Sequence, residues 1–152
     1  MAGLKLKFVT GEVALSAATA KTVLQVIAAT NHRIKVKRWK VTLDGIAPTD
    51  PAVVVTLMRQ TTAIGGSPTT ITGKKMEPAA AETVQTTAAA SAGGSEPTSS
   101  DILDQVDVHP QGGYEDVRDH GEEYIVAGGA RLGWVLTAPN AVNALVVAEI
   151  EE

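Results

Sequence analysis

The sequence predicts an all-β protein, a β-sandwich or barrel of roughly eight to ten strands, and three observations carry that prediction. Apolar residues recur with period two in short runs; Val142, Ala144, Val146, Ala148 and Ile150 share one phase, the mark of a half-buried strand. Turn signals such as Asp44-Gly45, Gly112-Gly113, Gly128-Gly129 and Ala138-Pro139-Asn140 separate the runs at short spacing. Finally, 44% of the 152 residues are hydrophobic but only 3% are aromatic, so the core is built from Val, Ile, Leu and Ala, and β-branched side chains suit a pleated surface.

Taken in order, residues 1–12 form a strand or extended arm, with Leu4, Leu6 and Phe8 alternating with Lys5 and Lys7. Residues 13–152 form a single domain, a length that buries about two-thirds of the unfolded surface. Ser16–Ala20 is a turn or one helical turn, and Lys21–Ala28 is a strand with Val23, Gln25 and Ile27 opposing Thr22, Leu24 and Val26. In Arg33–Asp44 the apolar phase flips: Ile34 and Val36 share one face, whereas Trp39, Val41 and Leu43 share the other. One extra residue produces such a flip, so a β-bulge is predicted near Lys37-Arg38. Ala52–Arg59 is the next strand.

Residues 60–100 are predicted to be a long Ala/Thr/Gly-rich loop excursion, with β-like pieces at Thr69–Thr72 and Glu82–Thr87 and a strand returning through Val84–Ala88. Ile102–Val108 resumes β character, although Asp101 and Asp104 also permit a helical start. His109–Gly121 is a polar loop with a short strand around Tyr114, and Glu123–Thr137 and Ala141–Ile150 complete the sheets.

The formal charge of −4 argues against general affinity for nucleic acid, which needs a basic footprint. Without cysteine there is no disulfide, thiolate chemistry or Cys-ligated zinc. The N-terminal lysines interrupt any signal-peptide core, and no stretch approaches the ~20 apolar residues of a membrane span, so a soluble, cytoplasmically synthesised chain with no membrane partner is expected.

Two clusters invite functional readings. The basic run His32–Lys40 could meet phosphate or an acidic protein surface; the plainer reading is a solvated strand face guarded by lysines. Asp107, His109, Glu115, Asp116, Asp119, His120, Glu122 and Glu123 crowd one region, but in no metal-binding register; a solvated acidic loop is preferred to a metal site or a glycosidase carboxylate pair. Gly65-Gly66 and Gly93-Gly94 lack the Lys-Ser/Thr of a phosphate loop, and no Gly-x-Ser-x-Gly elbow occurs. No catalytic residue and no cofactor is assigned, and enzymatic function is not expected.

The order of several pieces carries a resemblance: Ala17-Ala-Thr-Ala-Lys-Thr-Val-Leu-Gln-Val, Arg33-Ile-Lys-Val-Lys-Arg-Trp, Leu43-Asp-Gly and Met58-Arg-Gln-Thr-Thr come first. Glu82-Thr-Val-Gln-Thr-Thr, His109-Pro-Gln-Gly-Gly-Tyr-Glu, Gly121-Glu-Glu-Tyr-Ile-Val-Ala-Gly-Gly-Ala-Arg-Leu-Gly and Thr137-Ala-Pro follow. From about Ala14 onward the chain resembles small virion structural proteins of tailed bacteriophages, of the capsid decoration (cement) type. That resemblance implies a jelly-roll or similar β-sandwich, a homo-oligomer (most often a trimer), and the major capsid protein as partner on the virion surface. Lys5, Lys7, Arg33, Lys35, Lys37 and Arg38 are the candidate capsid or subunit contacts. A tail or head-fibre adaptor is the alternative, and a carbohydrate-binding β-domain resting on Asp107–Glu123 the third reading.

Overall fold

A computed structural model describes residues 3–91 and 93–152; Met1 and Ala2 of the N-terminal segment and Ala92 of the excursion lie outside the described residues. Alternating apolar residues form β1 (Lys5–Val9), β2 (Val13–Leu15), β3 (Thr19–Ile27), β4 (Ile34–Leu43) and β5 (Val53–Gln60). The excursion holds β6 (Thr69–Ile71), β7 (Lys74–Lys75) and β8 (Thr87–Ala90). Then come β9 (Ser99–Val108), β10 (Gly113–Val117), β11 (Tyr124–Val126), β12 (Arg131–Ala138) and β13 (Val142–Glu151). Helices are absent among the described residues, so Ser16–Ala20 resolves as a turn at Ala17-Ala18, with Ala18 at φ 54°, running into β3, and Asp101–Asp104 as strand.

Two antiparallel sheets face each other. The first runs β10-β4-β13-β1-β7, with β11 extending the β10 edge along β4 and β2 pairing β13. The second runs β6-β8-β3-β12-β5-β9. Their pairings nest: β5 with β9, β4 with β10 and β11, β3 with β12, β1 and β2 with β13. Successive pairs lie on alternate sheets, so the chain is one long hairpin rolled up into a β-sandwich. The N-terminal segment is therefore a strand of the sandwich, paired with β13 from Lys5↔Glu151 to Val9↔Val147.

The predicted bulge is present. Glu149 pairs with Arg38 and Ile150 with Val36, leaving Lys37 as the extra residue of β4. It lets Ile34 and Val36, then Trp39 and Val41, all reach the core. A second bulge was not legible: Trp134 faces Leu24 but Val135 faces Thr22, so Val23 is extra in β3. Between the sheets lie Leu6, Phe8, Leu24, Leu57, Leu132, Leu136 and Ile150. Trp39 and Trp134 meet there edge to face at 6.4 Å, and Tyr114 tilts against Trp39 at 5.2 Å.

Most of the described excursion is loop, and it carries the three short strands β6, β7 and β8. It sits at the tip of the β5–β9 hairpin and crosses the outer face of the second sheet as a doubled strap. Thr61 N donates to Thr98 O (2.8 Å) and Gly65 N to Ser95 O (2.9 Å), tying the outgoing and returning halves together. Side chains of the sheet hold the strap down. Gln25 Nε2 donates to Thr62 O (3.0 Å) and to Gln60 Oε1 (2.7 Å), Ile64 N donates to Gln25 Oε1 (3.3 Å), and Thr22 N donates to Glu96 Oε2 (2.7 Å). Gln60 Nε2 completes the network at Thr22 Oγ1 (2.9 Å). Room for the Gln60 carboxamide exists because Gly133 has no Cβ, which would collide with it. The returning strand is Thr87–Ala90, beginning three residues later than predicted; most of Glu82–Thr87 is loop, and β7 crosses to pair with β1.

Candidate interaction surface

The six basic candidates divide. Lys5, Lys7, Lys35, Lys37 and Arg38 lie on the outer phase of β1 and β4, and Arg33 is exposed in the turn before β4. Between those two strands runs β13, whose outward Glu149 and Glu151 alternate with buried Ala148 and Ile150. The registers Lys5↔Glu151, Lys7↔Glu149, Glu149↔Arg38 and Glu151↔Lys35 therefore build stripes of alternating charge. Lys7 reaches Glu149 at 3.1 Å, Lys37 reaches Glu123 at 2.5 Å and Glu151 at 3.0 Å, and Arg38 pairs with Glu115. This is a mixed-charge face rather than a free basic patch: an acidic partner would have to displace the protein's own carboxylates. The missed signal was the shared spacing of Lys5-x-Lys7 and Glu149-x-Glu151.

Glu123 is the anchor of that face. Its side chain is only 2% exposed. The hydrogen bond from Lys37 and backbone donors, including Gly121 N at 2.8 Å, hold its carboxyl down to about 2 from the ordinary 4.5. The carboxylate is thus stabilised in the folded state; its contribution is complete above the unfolded pKa and fades as pH falls from about 4.5 toward 2. Acid titration of unfolding should show a steeper loss of stability across that window in the native protein than in Glu123→Gln, with the two curves converging at the acid end.

Asp116 of the acidic region joins Asp104 of β9 in a packed network. Arg118 Nε bonds Asp116 (2.7 Å), Arg118 Nη2 bonds Asp104 (3.1 Å), and the guanidinium lies 4.2 Å over the Tyr124 ring. Trp39 Nε1 donates to Asp116 (3.0 Å) and Tyr124 OH to Asp104 (2.9 Å). This network staples the edge strands β9 and β10 of opposite sheets. Burial, then the hydrogen bond to Asp104, raises the Tyr124 hydroxyl above its ordinary value, so it remains protonated. Among the described residues no group of three or more His, Asp or Glu is placed to hold a metal ion.

A concave site lies at the end of the sandwich where the β2–β3, β4–β5, β9–β10 and β12–β13 connections meet. It is an open cleft of about 410 Å³, walled by Leu15, Pro51, Val53, Pro110 and Pro139, with Asp44 and Asp50 as its charged residues. Asp44 accepts from Asn143 N and Nδ2, both at 2.7 Å, and these bonds lower its carboxyl below the usual range. Asp50 accepts from Ala47 N (3.2 Å). At the rim stands Ile46, 90% exposed. Its loop is fixed: Gln111 Nε2 donates to Ile46 O (2.7 Å), Gly45 N to Pro110 O (3.1 Å), and a Cβ on Gly45 would collide with Pro110. The sequence offered only a turn signal here, because the cleft joins residues about 100 positions apart.

No protein-family model matches the chain, and no curated protein and no solved structure matches it significantly.

Proposed function

We propose that this protein is a non-enzymatic capsid decoration protein of a tailed bacteriophage, which binds the outer surface of the assembled head and stabilises it. The observation that supports this most is the rolled hairpin of nested strand pairs, the fold that the resemblance of its sequence to such virion proteins implies. A protein that binds only the assembled lattice shifts the assembly equilibrium toward the intact shell by mass action. The stapled edges and the strapped outer sheet suit that task, because a rigid body loses little conformational freedom on docking. In this reading the partner is the major capsid protein, the location is the virion surface, and the protein acts as a homo-oligomer, a trimer by the same resemblance.

The test is direct. Particles purified on a density gradient should contain the protein in a fixed ratio to the major capsid protein, and heads stripped of it should rupture at lower temperature until it is added back. Recovery in a few copies on purified tails would replace this reading with the tail-adaptor one, and absence from particles would end both. The carbohydrate reading has no tryptophan to stack a sugar on, since both are buried in the core.

A further inference from the structure

We propose that the loop-end cleft is a docking site for a lysine or arginine side chain of a protein partner, with Ile46 seating against an apolar neighbour of that cation. The inference rests on the decoration reading for the partner's identity, the outer surface of the shell, but not for its chemistry. Three observations carry it. First, the charged residues lining the cleft are both carboxylates, Asp44 and Asp50, and neither has a cation within salt-bridge distance among the described residues. Lys21, at the Ala14 wall, is already engaged by the Ala14 carbonyl (2.8 Å).

Second, the carboxylates of the mixed-charge face, Glu115, Glu123, Glu149 and Glu151, all have cationic partners, whereas Asp44 and Asp50 do not. In the cleft this negative charge faces outward in a concave, partly apolar setting, which focuses its field on an incoming cation. Third, Ile46 is displayed by a loop pinned through Gln111 and Pro110, so covering it gains apolar burial without an ordering cost. A metal ion is disfavoured, because among the described residues no third His, Asp or Glu joins Asp44 and Asp50 in a ligand group. Nucleic acid is disfavoured by the two carboxylates.

Two variants test the site without touching the core. Asp50→Asn keeps an acceptor for Ala47 N while removing the charge, and Ile46→Ser removes the apolar rim. Binding to heads lacking the protein should weaken about threefold for Asp50→Asn and about tenfold for Ile46→Ser, with melting temperatures unchanged. If both variants bind heads like the native chain, the cleft assignment is overturned and the decoration reading stands.

An independent arm uses small probes. Isotope-labelled protein titrated with N-acetyl-leucyl-lysinamide should show amide shifts at Gly45, Ile46 and Asn143, whereas N-acetyl-leucyl-glutamic acid amide should not. Equal responses to the two probes, or none at these amides, overturn the assignment. A positive titration in a protein that fails to bind heads would retain the cation site and remove the shell as its partner.

Discussion

Val146→Asp abolishes the folded state. Val146 lies at the middle of β13, fully buried and paired with Val41 of β4, so its side chain points between the two sheets. The substitution forfeits the burial of an aliphatic side chain, worth about 1.5–3 kcal/mol. It also places a carboxylate among apolar neighbours, at an effective cost of several kcal/mol. Domains of this kind are stable by about 5–15 kcal/mol in total, so the variant should show no cooperative thermal transition and collapsed amide dispersion. A folded variant melting near the native temperature would show that Val146 does not face the core. Glu149→Val, three residues on and in the outward phase, is the control. It loses exposed ion pairs to Lys7 and Arg38 and should cost no more than about 1 kcal/mol.

Gln25→Leu should have the second-largest effect, and a more local one. The carboxamide serves Gln60 Oε1, Thr62 O and Ile64 N, and a leucine leaves all three without that partner under the strap. Each buried polar group left unsatisfied costs about 1–3 kcal/mol, so a loss of about 3 kcal/mol is expected after partial relaxation. Hydrogen exchange should accelerate at Ile64 and Gly65 far more than in β13, and limited proteolysis should open within Thr61–Gly66. Uniform destabilisation with Ile64 still protected would mean that Glu96 and the cross-strap bonds alone hold the layer in place.

What could be read from the residues was whatever a local period determines. The phase flip across Ile34–Leu43 located the bulge at Lys37, because burying Trp39 and Val36 together leaves no other geometry. The inward set of β13 followed in the same way. The strap was not legible, since its order depends on Gln25 and Glu96 meeting backbone groups 37 and 74 positions away, and nothing local distinguishes a tethered glycine-rich segment from a free one. Val23 hid its bulge because its neighbours on both sides are buried, Thr22 on one flank and Leu24 on the other. The basic candidates were legible as residues, but their ion pairs were not, because the counter-ions come from β10, β13 and the residue before β11, at least 77 positions away. The cleft escaped notice for the same reason.

The rolled hairpin also governs when this protein can fold. Lys5 pairs with Glu151, so β1 waits for its main partner until β13 has been made, with only the two-residue β7 available to it before then. At about 5–20 residues per second that interval is on the order of ten seconds. Throughout it, the apolar phase of β1, Leu6 and Phe8, stays uncovered by its final neighbours. Within the nest the β5–β9 pair is the first that can close, and the outer pairs follow in sequence. Such a topology belongs to the slow, millisecond-to-second class of folders. Translation rate and chaperone supply, rather than equilibrium stability, should then set the yield of native protein.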